Sequence, residues 1–397
     1  MNPIFAQHSA RISTRLGSLG LLAAALALSG CNSSNDSGPA PAAGTASNQL
    51  YTQTNEQVNA IVHMSRGSDG SLTIVNRVYT GGSGSDGVKY GDSTNTPVAD
   101  SLTSNHSVII SPDKTTLFAV NAGDNSVSVF SIDASGNLTL KATSATGGLY
   151  PTSLAYHDGT LYVSFQGGLQ NLQAYHVGND GSLRVTGAWE LPLNGSNKNL
   201  PTELTLSPDN SQLIAITGPG SNQIVSYPVN SDGSLGSPIA NTTGVTSPFA
   251  GIFTPGGAFL ATDITDKALA AFSVSSGSLS AIGSPVVSGI TAPCWLAITP
   301  SGKYAYVGNG QGPISSYSVA SNGALTLLNA TATTDATLKV SGDSWVSPDG
   351  KYLYTAYFAN DEVIAYQIAS DGSLSTVGSP AALHTVTGVS TMGLAGL

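Results

Sequence analysis

The chain has 397 residues, 40% of them hydrophobic and only 9% charged, against about 25% charged in an average soluble domain. Its net charge of −10 repels phosphate backbones, so no nucleic-acid partner is expected. With only two cysteines, Cys31 and Cys294, no disulfide framework supports the fold.

The first 30 residues read as a signal segment. Arg11 and Arg15 precede an apolar run from Leu19 to Leu28 that is short of the ~20 residues needed to span a bilayer. The run ends in Leu28-Ser29-Gly30-Cys31, which resembles the lipobox of bacterial lipoproteins. That resemblance implies cleavage before Cys31, acylation of its thiol and membrane attachment through the lipid. Asn32 in place of Asp favours the outer membrane. Residues 31–49 are rich in Ser, Gly, Pro and Ala and have too little apolar surface to pack, so they are expected to form a tether. Without residues 1–30 the chain has 11 Lys and Arg against 23 Asp and Glu, a balance of −12.

From about Leu50 the chain repeats itself. A turn of the form Asp/Asn/Ser-Gly-x-Leu begins at Asp69, Ser135, Asp180, Asp232, Ser276, Asn322 and Asp371, seven copies in all. Glycine supplies the positive φ of a tight hairpin. Out of phase with it runs an apolar strand ending in Ser/Thr-Pro, a short turn and a second apolar strand, as in VIISPDKTTLFAV and LAITPSGKYAYVG. A third column holds Met64, Phe130, Tyr175, Tyr227, Phe272, Tyr317 and Tyr366, large side chains suited to the space between units. Pro228, inside one such strand, suggests a bulge. No segment sustains a helical period.

Four-stranded units of this length are propeller blades. The expected fold is all-β, a seven-bladed β-propeller of four-stranded antiparallel blades over residues 50–397. The N-terminal segment lacks an innermost strand. The C-terminal STMGLAGL supplies one, so the last strand should close the first blade and remove both sheet edges. A closed ring of this kind is expected to be a monomer.

The repeats SPDKTTLFAVNAGDNSVSVFSID and SPDGKYLYTAYFANDEVIAYQIASDGSL resemble the seven-bladed lactonase-family propellers, which include bacterial 6-phosphogluconolactonase and fungal carboxymuconate cyclase. The likeness runs from Leu50 to the C-terminus and is closest to a secreted branch. The family's enzymes carry a His in a Pro-His-Ser-Val context, matched here by Asn105-His106-Ser107-Val108, so the resemblance makes His106 the catalytic candidate. Their Gly-Pro-Arg-His stretch is replaced by Tyr150-Pro151-Thr152-Ser153, and their following Glu falls near Gln166.

Innermost strands line the channel of a propeller, and the residues just before them ring its mouth. That ring holds His106, Glu203, Phe249, Cys294, Trp295 and Asp343. Glu203, Phe249, Trp295 and Asp343 are the expected ligand-binding residues, the aromatics by stacking and the acids by orienting His106. Cys294 reads as a buried thiol rather than a nucleophile. His106, Glu203 and Asp343 together offer the donors for a divalent cation, but no spacing enforces such a site. No cofactor or metal motif is present, and the loop TGGSGSDGVKYGDSTNTPVAD is expected to lie solvated over one face. These features lead to a non-catalytic binding or scaffold propeller at the cell envelope, with a small molecule or protein at the channel mouth. Lactone hydrolysis through His106 is the alternative.

Overall fold

A computed structural model describes residues 46–192, 200–218, 221–241, 243–333, 335 and 337–397. The signal segment, most of the tether and Cys31 lie outside the described residues. Those residues are all-β, with no helix, and form seven antiparallel sheets. The chain is the expected seven-bladed β-propeller. The innermost strands are Met392–Gly396, Val108–Ile110, Leu149–His157, Pro201–Leu206, Pro248–Phe253, Pro293–Ile298 and Ser341–Val346. In the fifth blade the outer edge is split between Ser278–Ala281 and Val286–Val287.

The C-terminal strand closes the ring. Met392–Gly396 pairs antiparallel with Gln49–Gln53, placing Tyr51 opposite Ala395. Leu397 adds backbone bonds on both sides, donating to the Gln49 carbonyl at 2.9 Å and accepting from the Asn48 amide at 3.0 Å.

The recurrent motifs have local causes. In the Ser-Pro-Asp turns the Ser111, Ser207 and Ser347 hydroxyls each donate to the Asp two residues on and accept the amide five residues on. In the Asp-Gly-Ser turns Asp69 Oδ1 accepts from both the amide and hydroxyl of Ser71, an Asx turn. The glycine also admits a tie between blades. Tyr51 donates its hydroxyl to the Gly136 carbonyl at 2.6 Å, and Tyr162, Tyr306 and Tyr354 do the same to Gly233, Gly372 and Gly70. Gly136 has φ +85°, and a Cβ there would meet Gln49 and the Tyr51 hydroxyl. The column from Met64 to Tyr366 is buried throughout. Pro228 ends its strand, Gln223–Pro228, and across it the outer pairing shifts by one residue, from Ser226 opposite Ile239 to Val229 opposite Leu235, the local irregularity its missing amide suggests.

The loop Thr80–Asp100 lies over one face with the second half of its length largely exposed. The segment that follows it is not solvated: Ser101, Leu102, Ser104 and Asn105 are buried. Asn55 holds Ser85 and Ser101, and Gln166 donates to the Leu102 carbonyl at 2.6 Å. Asn105 donates through its amide to Thr202 and through its side chain to Cys294. The segment thus ties blades on opposite sides of the ring. Beneath it Trp295 packs edge-on against Phe249 and Phe358, with centroids 5.7 and 5.3 Å away. Loop and aromatics together seal the end of the channel where the innermost strands begin.

Candidate functional site at the base of the channel

The rest of the channel is open. A cavity of about 340 Å³ runs along the innermost strands from Asn105, His106, Glu203 and Asp343 to Ile110, Ile298, Val346 and Gly396. No residue of 81–104 lines it, so it opens on the face opposite the sealing loop. A hollow of similar volume beside Ser207 and Phe253 has Asp209 as its one titratable group, already bonded to Ser207 and Ser211.

The backbone aims the three titratable side chains. Most innermost strands have a register shift near their start, between Pro201 and Glu203, Pro248 and Gly251, Pro293 and Trp295, and Ser341 and Ser344. Bulges of this kind turn side chains away from the regular alternation. His106 precedes its strand with φ +59°. Its amide donates to Asp343 Oδ1 at 3.2 Å, and Gly393, on the closing strand, donates to Asp343 Oδ2 at 3.1 Å. The site therefore depends on closure of the ring. Glu203 Oε2 accepts from the Gly251 amide at 2.8 Å.

His106 Nδ1 lies 3.1 Å from the Leu204 carbonyl and 3.5 Å from Glu203 Oε1. A carbonyl can only accept, so Nδ1 carries the proton and Nε2 is left as the acceptor. Among the described residues Nε2 has no hydrogen-bond partner, and the side chain is 37% exposed and lines the cavity. Burial lowers the His106 pKa, with the Leu204 bond opposing, so the ring is neutral at pH 7. Burial holds Glu203 well above the usual carboxylate range; the Gly251 amide opposes this and the nearby Asp343 adds to it. Burial raises Asp343 to about 7 against the two amide bonds. In the sealing loop, burial raises Asp100 to about 8, with Lys89 opposing and Asp343 adding. The cavity base is thus close to neutral and has no cation.

The structure brings His106, Glu203 and Asp343 together but does not add Phe249 and Trp295 to them. Both aromatics are 2% exposed and belong to the seal rather than the cavity wall, so neither presents a free face for stacking. Cys294 is buried among them, and burial pushes its thiol pKa up. Among the described residues no three His, Cys, Asp or Glu side chains converge as a metal site; Glu203 and Asp343 direct their oxygens at backbone amides instead. The aromatic that does reach the cavity is Trp345, with the Arg66 guanidinium 5.0 Å from its ring. Sequence reasoning missed it. The bulge between Ser341 and Ser344 breaks the alternation that would otherwise relate Trp345 to Asp343, so no period in the sequence marks it.

The comparisons with known proteins agree with this architecture. The profile of the family described as Lactonase, 7-bladed beta-propeller matches residues 93–192 and 258–391. The chain belongs to that family. Among solved structures it is similar to a periplasmic gluconolactonase from Pseudomonas aeruginosa, at 17% identity and a TM-score of 0.68 over 87% of this chain and 98% of that one. It is also similar to a candidate 6-phosphogluconolactonase from Bacteroides fragilis, at 18% identity and a TM-score of 0.66 over 87% and 96%. At these identities the likeness is one of fold. No curated protein matches the sequence significantly.

Proposed function

We propose that the protein hydrolyses a small uncharged lactone in the channel, with His106 as general base. The observation that carries this reading is the His106 ring: neutral, fixed through Nδ1, and open to the cavity at Nε2. Nε2 takes a proton from a water molecule as the water oxygen bonds to the lactone carbonyl carbon. The ring C–O bond then breaks, and the leaving alkoxide takes the proton back from Nε2, giving the hydroxy acid. The Leu204 carbonyl holds the tautomer. Glu203 lies close enough to Nδ1 to stabilise the transient imidazolium when ionised. The product ionises to an anion at a cavity base with two buried acids and no lining cation, which favours its release toward the mouth.

Gln166 and Thr152 stand where the resemblance places acidic and basic residues, and both are bonded to the sealing loop. This favours an uncharged substrate over a phosphorylated one. It also keeps the binding-only reading in play, and one experiment separates the two. In a lactone panel, His106→Ala should lower kcat by about 10²- to 10⁴-fold. Turnover that is absent in the wild type, or unchanged in the variant, overturns the hydrolytic reading.

The expected lipid on Cys31 adds an envelope location to this proposal. The described chain begins near the cavity mouth, where Arg66 bonds Asn48 and Leu397 while stacking on Trp345.

A further inference from the structure

Innermost propeller strands ordinarily bury their apolar side chains or turn polar ones to the channel water. Here Ile109, Ile252, Leu296, Ile298 and Trp345 are only half-buried although they sit on the innermost strands, and all line the cavity. Leu394 of the closing strand completes the wall. Polar lining side chains are confined to Asn105, His106, Glu203, Asp343 and Ser344. No Lys or Arg lines the cavity.

An apolar surface left open inside a concave site is a ligand-binding feature. Hydroxyls of a polyhydroxylated sugar lactone that faced this wall would meet aliphatic side chains and lose their water partners without replacement. An alkyl or aryl group would instead displace water from the aliphatic side chains. His106 and this wall line one cavity, so a ligand with its ester group at Nε2 has the side chains of Leu296, Ile298 and Trp345 available to its remaining bulk.

We infer that the substrate is a neutral lactone carrying an apolar substituent, with the ring at His106 and the substituent along the Ile109–Ile252–Leu296–Ile298–Trp345 wall. This rests on the hydrolytic reading for its chemistry and on the wall alone for its specificity.

Two measurements keep those supports apart. The first is kcat/KM for γ-lactones with 5-alkyl groups from methyl to hexyl, beside δ-gluconolactone. The second is calorimetric binding of the matching γ-lactams, which resist hydrolysis. Each added methylene should raise lactone kcat/KM and lactam affinity by about fourfold until the chain fills the cavity. Ile298→Asn should flatten both series; circular dichroism and the melting temperature establish that this variant folds, and Leu296→Thr replaces it if it does not. Preferred hydrolysis of δ-gluconolactone, with no dependence on chain length, overturns the inference and leaves the hydrolytic reading standing. Chain-dependent lactam binding without any hydrolysis overturns the hydrolytic reading and leaves an apolar-ligand site. Neither binding nor turnover overturns both.

Discussion

Asp343 is a buried acid with no cation beside it, and replacing it by asparagine should change the pH dependence of stability. Its pKa is raised to about 7 from 3.8 by burial, and it is 5% exposed. A folded-state pKa above the unfolded value means that the neutral acid suits the fold. Its contribution is fully present below pH ~4 and is lost as pH rises through about 7. At about 1.36 kcal/mol per pH unit, the wild type should lose about 3 kcal/mol from this group between pH 5 and pH 9. The Asp343→Asn variant loses none of it. The carboxamide carries a constant handicap, because one oxygen can accept from only one of the His106 and Gly393 amides. The other amide then faces an NH2 group, at about 1–3 kcal/mol. The variant should therefore melt below the wild type at pH 5, with the gap closing or reversing by pH 9. The relative shift is about 6 °C if 1 kcal/mol moves Tm by roughly 2 °C at this size. Removing the Asp343 charge also relieves part of the upward shift of Glu203 and Asp100, which adds to the relative gain of the variant at high pH. Differential scanning calorimetry at several pH values measures the gap. A difference that stays constant from pH 5 to pH 9 would refute the claim that Asp343 is held as an acid by burial.

Deleting Ser390–Leu397 removes Met392, Leu394 and Leu397, all buried. At about 1.5–3 kcal/mol for each buried side chain, the loss is comparable with the 5–15 kcal/mol stability of an ordinary domain. The deleted protein should melt far lower or fail to fold, and an unchanged melting temperature by circular dichroism contradicts closure by this strand. Cys31→Ala should move the protein from the membrane to the soluble fraction of expressing cells and remove a lipid-sized mass from the mature N-terminus. A wild-type protein with no acyl mass on Cys31 defeats the anchor.

The family likeness supports the hydrolytic reading without determining the substrate. The residues at the usual mouth have been turned to another use. Gln166, Thr152 and Asn105 hold a loop across it, and the open end is the one bearing the Ser-Pro turns. In the proposed function a ligand would reach His106 along the strands rather than through the ring that precedes them.

Sequence by itself determined the ring. Seven Gly-x-Leu turns, the Ser/Thr-Pro turns and the buried column from Met64 to Tyr366 are local or strictly periodic signals, because each blade meets the same geometric demand. The missing innermost strand and the spare C-terminal segment likewise specified the closure between Gln49–Gln53 and Met392–Gly396. The sequence also placed His106, Glu203 and Asp343 in one ring. It could not tell that Phe249 and Trp295, in the same ring, would pack into a seal while Trp345 reached the open channel. Nor could it tell that residues 101–105 would be buried across the mouth of the channel where the innermost strands begin. Those outcomes depend on bulges that turn single side chains and on contacts between blades far apart in the chain. Only the tertiary structure decides them, because side-chain direction at a bulge and packing across a channel leave no period in the sequence.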